Sequence, residues 1–123
     1  MPKEFVLQLF LFAGLRRLSR FYPVKNEALR LARKSPGNYE CAACKKLFKI
    51  GDVVVDHIDP VIDPKAGFQN WDVYINRLFC SLSNLQVLDR ECHKIKSATE
   101  VKIRKATRDA KKLKAKETTD EQQ

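Results

Sequence analysis

The chain has 123 residues, a length that fits one domain, since domains commonly run to about 100–150 residues. The apolar content of 44% excludes a wholly disordered chain, and the length excludes a large enzyme with a separate cofactor domain. Lys and Arg number 24 against 15 Asp and Glu, which gives a formal net charge of +9. This charge favours a polyanionic partner, most simply nucleic acid.

The positive charge is concentrated at the two ends of the chain. Residues 1–40 contain 8 basic and 3 acidic side chains, and residues 97–123 contain 8 and 5, whereas residues 41–96 contain 8 and 7. The nearly neutral centre also holds all four cysteines and both histidines. We therefore predict basic arms that contact phosphates on either side of a centre that carries the chemistry.

The first arm, residues 1–38, predicts two helices, at about 5–20 and about 24–34, because Pro23 disfavours helix at the residue before it. The apolar run at 5–15 is shorter than the roughly 20 residues that span a bilayer. It also lacks a small-residue cleavage site, so we interpret it as a buried or partner-facing helix and expect a cytoplasmic protein. The candidate phosphate contacts of this arm are Arg16, Arg17, Arg20, Arg30, Arg33 and Lys34.

The last arm begins at Ser97-Ala98-Thr99-Glu100, which matches a helix capping box. A basic helix is predicted from there to about residue 116, with too few large apolar residues to be held by a core, followed by a disordered tail at 117–123. The candidate DNA contacts of this helix are Lys102, Arg104, Lys105 and Arg108.

The cysteines lie at 41, 44, 80 and 92 and could form two disulfides in any of three pairings. A reducing location makes metal binding the better use for them. The spacing Cys41-x-x-Cys44 suits zinc, although redox sites share it, and Cys92 supplies a third thiolate. The fourth position is open between Asp89, which spacing favours, and Cys80, and four unliganded core cysteines remain the alternative.

Between the two halves of this cysteine pattern, a β-branched strand at 53–58 carries Asp56 and His57. A second strand is predicted at 83–88, with Asn84 near its start, and a short helix at 89–96 carries His93. A neutral histidine can take a proton near pH 7, and a divalent ion held by a carboxylate can neutralise charge on a phosphodiester. The connection between the strands predicts a helix at 71–79, capped by Asn70, which buries Trp71, Tyr74, Ile75 and Leu78 or Phe79.

Taken in order, these motifs resemble the HNH (ββα-metal) endonuclease family, in the zinc-knuckle branch that is common among bacteriophage proteins. The resemblance covers residues 40–100 and is carried by Cys41-x-x-Cys44, Val55-Asp56-His57-Ile58-x-Pro60, Asn84-Leu85-Gln86-Val87-Leu88 and Cys92-His93-Lys94-x-Lys96. It implies an α+β fold, with a small ββα-metal core and zinc knuckle at 39–97. Basic helices flank this core at 1–38 and 98–116.

The resemblance also implies roles for single residues. His57 would be the general base, and Asp56 and His93 would hold the catalytic Mg²⁺, or another divalent ion such as Mn²⁺ or Ni²⁺. Asn84 would position the hairpin and His57. Lys96, with Lys94 beside it, would contact DNA. Structural Zn²⁺ would be held by Cys41, Cys44 and Cys92. The fourth ligand would be Asp89, which stands where the family usually has cysteine, or Cys80.

These expectations amount to a metal-dependent DNA endonuclease that cuts one strand or both, is phage-encoded, and serves homing or genome packaging. Its expected location is the host cytoplasm. Its expected partners are DNA and either a second copy or phage terminase components, with no membrane involved. The alternative is a zinc-stabilised DNA-binding module without catalysis, which explains the charge but leaves Asp56 and His57 unexplained.

Overall fold

A computed structural model describes residues 2–121, and side chains within residues 2–116. The fold is α+β, which confirms the predicted class. In chain order the elements are α1 (Lys3–Ser19), α2 (Pro23–Ala32), β1 (Arg33–Ser35), β2 (Asn38–Glu40), β3 (Leu47–Phe48), β4 (Val53–His57), α3 (Trp71–Leu78), β5 (Leu85–Asp89) and α4 (Arg90–Glu121).

The centre of the fold is an antiparallel hairpin of β4 and β5, in which Val53 pairs with Asp89 and Asp56 with Gln86. The β-branched run of β4 favours this pleated conformation. Strand β5 leads directly into α4, and the Oδ2 atom of Asp89 accepts a hydrogen bond from the Glu91 amide at 3.2 Å. Hairpin and helix therefore follow each other without a loop.

The helices α1 and α2 are held by two different apolar clusters. Ala28 of α2 is buried with Cys80 and with Leu85 of the hairpin. Phe12 of α1 makes edge-on and tilted ring contacts with aromatic residues on and before α3, with ring centroids 4.9–5.3 Å apart, namely Phe68, Trp71 and Tyr74. Aromatic pairs at such distances stabilise a fold beyond their buried area. The clusters fasten α2 to the hairpin and α1 to α3.

The α3 helix confirms the predicted connection between the strands. Its N-cap is Asn70, whose Oδ1 atom accepts a hydrogen bond from the Val73 amide at 2.9 Å. Tyr74 and Leu78 are buried, as expected, but Ile75 is 40% exposed. The prediction for Ile75 was wrong because the face of α3 that packs on α1 is centred on Tyr74.

Two predicted helix boundaries were also wrong. The second helix ends at Ala32 rather than about residue 34, because the turn at Gly37, with φ of +77°, folds Arg33–Ser35 back as a strand against β2. The predicted short helix at 89–96 and the predicted last helix from about residue 98 are one continuous helix that begins at Arg90, so the Ser97–Glu100 box lies inside it. The hydrogen bond to Asp89 and the packing of α4 on the hairpin let the helix start well before the box.

One face of α1 is apolar and exposed to solvent. Its large exposed side chains include Phe5, Leu9 and Phe10.

The end of α4 lies in the segment that was predicted to be disordered. That segment begins at residue 117, whereas the backbone of α4 continues to Glu121; residues 122 and 123 lie outside the described residues. Within residues 2–121, we find no helix that combines the length and the apolar character needed to cross a bilayer.

Candidate active site and metal centre

The first cysteine pair lies on a tight turn after β2. The amide of Cys41 donates to the Lys46 carbonyl, and the amide of Lys45 donates to the Cys41 carbonyl, each at 3.0 Å. Lys45 closes the turn with φ of +64°, in the left-handed region. The amide of Ala42 donates to the Val87 carbonyl at 2.8 Å, which fastens this turn to β5.

Four side chains meet where this turn faces the junction of β5 and α4. The ligand atoms of Cys41, Cys44, Asp89 and Cys92 all lie within 4.8 Å of one another, and Sγ of Cys44 is 3.5 Å from Oδ1 of Asp89. Tetrahedral zinc with Zn–S bonds of about 2.3 Å separates its ligand atoms by about 3.8 Å, so a small contraction suffices. The cluster fits a metal ion such as zinc, as the spacing predicted.

The two candidates for the fourth position are separated by the fold. Asp89, at the end of β5, belongs to the cluster. Cys80 is buried in the apolar core beside Ala28 and Leu85, and it is absent from the metal-ligand clusters of the part of the chain that the structure describes. Its carbonyl accepts a hydrogen bond from the Tyr22 hydroxyl at 2.8 Å. Cys80 therefore helps to hold α2 in place.

Hydrogen bonds polarise the cluster when it holds no ion. Those from the Cys92 and Cys41 thiols, together with a weaker one from Cys44, lower the pKa of Asp89 to about 2. The hydrogen bond to Asp89, with a contribution from burial, raises the pKa of Cys92 to about 12. Burial acts to raise the pKa of Cys41, but backbone hydrogen bonds from Cys44 and Asp89 outweigh it and lower the pKa. The carboxylate is thus ionised and ready to bind a cation.

A separate cleft of about 610 Å³ contains the other predicted site residues. Asp56 and His57 enter it from β4, and His93 enters it from α4. Arg16 and Arg20 line the same cleft from α1 and its C-terminal end. Residues that are far apart in the sequence, from 16 to 93, therefore face one space.

The ring of His57 is oriented by the end of α3. Its Nε2 atom lies 2.9 Å from the carbonyl oxygen of Leu78. Because a carbonyl oxygen only accepts hydrogen bonds, Nε2 is the protonated nitrogen of the neutral ring, and Nδ1 carries the lone pair. This backbone partner was not predicted, because every residue has a backbone carbonyl and the sequence does not distinguish that of Leu78, which lies 21 residues from His57.

Asn84 holds the chain just beyond His57. The amide of Asp59 donates to Oδ1 of Asn84 at 2.9 Å, and Nδ2 of Asn84 donates back to the Asp59 carbonyl at 3.4 Å. The amide of Ile58 also donates to the Asn84 carbonyl, at 2.8 Å. These bonds hold the residues that follow β4 against the residue that precedes β5.

The carboxylate of Asp56 has different partners on its two oxygens. Oδ1 lies 3.6 Å from Nε2 of His93, while Oδ2 accepts from Nε2 of Gln86 and is paired with Nζ of Lys96, both at 3.1 Å. The side chain of Asp56 is 13% exposed, against 41% for His93. Gln86 was not predicted as a site residue. The pairing register of the hairpin, which places Gln86 opposite Asp56, is the feature that could have indicated it.

Lys96 joins three groups at the edge of the cleft. Besides Asp56, its ammonium donates to the His57 carbonyl at 2.9 Å and to the carboxylate of Glu100. Burial acts to lower the pKa of Lys96, but the bonds to Glu100 and Asp56 outweigh it and raise the pKa. The ammonium is therefore charged. Glu100, interpreted from the sequence as part of a capping box, is instead a partner of this lysine.

The basic residues divide into three groups, which line the cleft, line a second groove or lie outside both, and Arg108 is the one predicted DNA contact that the groove adds. Lining the cleft are Arg16, Arg20, Lys96 and Arg104, together with Lys25, which the sequence did not single out. A second groove of about 400 Å³, which shares Gly67 and Arg104 with the cleft, adds Lys65, Arg108, Lys111 and Lys112. Outside both are Arg17, Arg30, Arg33, Lys34, Lys94, Lys102 and Lys105, of which Arg30 is paired with Glu27.

Comparison with known proteins assigns no family to the chain. A scan against protein-family models, a search of curated proteins and a search of solved structures each found no match. The function is therefore argued from the two sites.

Proposed function

We propose that this protein is a metal-dependent HNH-type endonuclease that hydrolyses phosphodiester bonds in DNA. The observation that carries the proposal is the meeting of Asp56, His57 and His93 in one cleft whose walls include Arg16 and Arg20. Hydrolysis of an anionic diester requires a base that activates water and ligands that hold a divalent ion. Asp56, His57 and His93 can supply these groups, and arginines bind phosphate.

Asp56 and His93 form a fitting ligand pair for the catalytic ion. Their oxygen and nitrogen atoms are 3.6 Å apart, and such donors suit Mg²⁺, Mn²⁺ or Ni²⁺. A divalent ion bound there would neutralise the charge that develops on the scissile phosphate and the leaving oxygen. The partial exposure of His93 leaves this pair open toward the DNA side of the cleft.

His57 is the general base of the proposal. Its Nε2 proton is held by the Leu78 carbonyl, so Nδ1 is the atom that would take the proton from the attacking water. Asn84, through its bonds to Asp59, would keep the exit of β4 from moving and so aim the ring. A correctly oriented base of this kind contributes about 10²–10⁴-fold to rate.

The basic walls would position the DNA. The cleft and the groove meet at Arg104, so a duplex that enters beside Arg16 and Arg20 could continue along α4 past Arg108. The groove-lining side chains that are charged are all basic. Phosphate contacts of this type orient the duplex without reading its sequence.

The cysteine cluster would hold structural Zn²⁺. Its ligands come from the turn after β2, from the end of β5 and from the first turn of α4, so one ion would join three parts of the chain. All four positions are filled by protein, as in structural zinc sites. An ion there would stabilise the hairpin on which Asp56 and His57 are carried.

One observation favours the second candidate, a zinc-stabilised DNA-binding module without catalysis. The Asp56 carboxylate is paired with Nζ of Lys96 at 3.1 Å, so a charge from the chain itself balances this carboxylate. The phage origin, the homing or packaging role, and a second copy or terminase component as partner stay predictions of the resemblance.

Plasmid cleavage separates the two candidates. Protein loaded with zinc and then dialysed should leave supercoiled plasmid intact, and adding Mg²⁺ or Mn²⁺ should give nicked or linear product. The zinc-loaded state matters because a chelator would also strip the cysteine site. Salt-sensitive binding without cleavage under any of these ions would support the binding module instead.

A further inference from the structure

The side chain of Lys96 has all its hydrogen-bonding capacity occupied inside the cleft. An ammonium has three donors, and its three partners here are Oδ2 of Asp56, the His57 carbonyl and the Glu100 carboxylate. The side chain is only 24% exposed, and the pairing spans from α4 across to β4. This arrangement is unlike that of a lysine held free for a phosphate.

The position of the ammonium matters because it uses the same carboxylate as the proposed ion. Oδ1 of Asp56 faces His93, and Oδ2 is taken by Lys96 and Gln86. A divalent cation bound between Asp56 and His93 would stand within a few ångströms of a fixed positive charge, and like charges at that distance repel strongly in a partly buried site.

We propose that Lys96 is a tethered cation that holds Asp56 in the ion-free protein and competes with the divalent ion for its carboxylate. This inference rests on the proposed function, since it takes Asp56 and His93 as the ion's ligands. Glu100, one helical turn after Lys96, keeps the ammonium paired when Asp56 releases it. The lysine thus keeps the charge of the Asp56 carboxylate balanced until an ion arrives.

A coupling between DNA and metal follows from this competition. A phosphate in the cleft would draw the ammonium from Asp56, so DNA would raise the affinity for the ion, and by linkage the ion would raise the affinity for DNA. The apparent ion affinity without DNA equals the intrinsic affinity multiplied by the fraction of time that Asp56 is free. Removing the competitor should restore it.

The test measures Mn²⁺ binding to the zinc-loaded full chain by calorimetry, without DNA. If Asp56 is free about a tenth of the time, Lys96→Met should bind Mn²⁺ about tenfold more tightly than the parent. The matched control is Lys94→Met, which removes the same charge from an exposed position nearby on α4. It should change the affinity by less than about twofold.

Two further variants keep the outcomes distinguishable. Asp56→Asn should abolish this Mn²⁺ binding; if it does not, the ion site fails and the proposed function and the inference fall together. If Asp56→Asn abolishes binding but Lys96→Met binds no more tightly than Lys94→Met, the inference alone is overturned. Zinc content and thermal melting check each fold, and Lys96→Gln replaces Lys96→Met if that variant does not fold.

A second measurement uses a His57→Ala background, in which DNA should be cut about 10²–10⁴-fold more slowly. Adding a short duplex should tighten Mn²⁺ binding more in this parent than in its Lys96→Met derivative, because only the parent has a competitor to displace. Equal gains in the two proteins would overturn the coupling.

Discussion

The cysteine cluster and the cleft share the β4–β5 hairpin and α4, yet they are different kinds of site. In the cluster, four ligand atoms lie within 4.8 Å of one another, and all four positions are filled by the chain. In the cleft, Asp56 and His93 would supply two ligands, and Lys96 is paired with the carboxylate of Asp56. Structural metal sites are closed and catalytic ones keep open positions.

The contrast shows how a small chain can use one site for stability and another for chemistry. A 123-residue protein buries few side chains completely, so the closed site can replace part of a core. The open site would then carry partly exposed charged and polar residues, because an ion in the cluster would fix the hairpin on which they lie at its other end. Metal at one site would support stability, and metal at the other would support chemistry.

The largest expected effect is the loss of the closed site. Cys41→Ser should lose zinc and much of its stability, since structural zinc in small domains contributes on the order of 10 kcal/mol to folding. Metal content and thermal melting by circular dichroism measure this. The control is Cys80→Ala, which removes a buried cysteine outside the cluster and should retain the metal. A Cys41→Ser protein that keeps its zinc and melts like the parent would contradict the account.

The next effect concerns the open site. Asn84→Ala should lower the cleavage rate at saturating DNA by roughly 10²-fold, because small misplacements of a base are costly, while zinc content stays unchanged. Asn84→Asp keeps the acceptor for the Asp59 amide and should retain more activity. Weakened DNA binding with an unchanged rate would show that Asn84 does not position His57.

Interactions between residues close in the sequence were easier to predict than interactions between distant residues. The pair Cys41 and Cys44, and the pair Asp89 and Cys92, are local spacings, so the cluster could be foreseen once the two halves were matched. Asn70 as the cap of α3 was equally local.

Interactions set by tertiary packing could not be predicted in this way. The Leu78 carbonyl reaches His57 only because α3 packs beside β4, and Lys25 lines the cleft only because α2 folds back. A break before residue 98 was wrongly predicted because Ser97 and Glu100 satisfy a local capping pattern, whereas α4 is capped by Asp89 and continues through both residues. Local rules give way where tertiary partners are stronger.

A smaller effect is expected in the groove beside α4. Replacing three of its lysines with glutamine should lower the salt dependence of DNA binding, by about 0.9 in the slope of log K against log salt for each phosphate that the protein no longer neutralises. The variant carries changes at Lys65, Lys111 and Lys112. Fluorescence anisotropy in the His57→Ala background measures it.

The control for the groove removes three exposed lysines that line neither cavity, at Lys3, Lys46 and Lys49. Its slope should change clearly less than that of the groove variant. Equal slopes in the two triple variants would mean that DNA does not follow α4.

The smallest effect concerns the proton balance of the closed site. Zinc binds thiolates, so its affinity rises with pH, and the three cysteines release up to about three protons when it binds. Asp89 is already ionised near neutral pH and releases none, because hydrogen bonds from Cys92 and Cys41 lower its pKa to about 2. Asp89→Cys should therefore steepen the rise of log affinity with pH by up to about one proton. An unchanged slope in a zinc titration would indicate that position 89 does not bind the ion.

The central claim, that the cleft is a nuclease site with His57 as its base, is tested most directly by single-turnover nicking of supercoiled plasmid. The comparison uses zinc-loaded parent and His57→Ala proteins at saturating Mg²⁺ and at concentrations where both bind the DNA fully. The account predicts that His57→Ala nicks about 10²–10⁴-fold more slowly while retaining zinc and DNA affinity. A His57→Ala protein that nicks within a few-fold of the parent rate would contradict it.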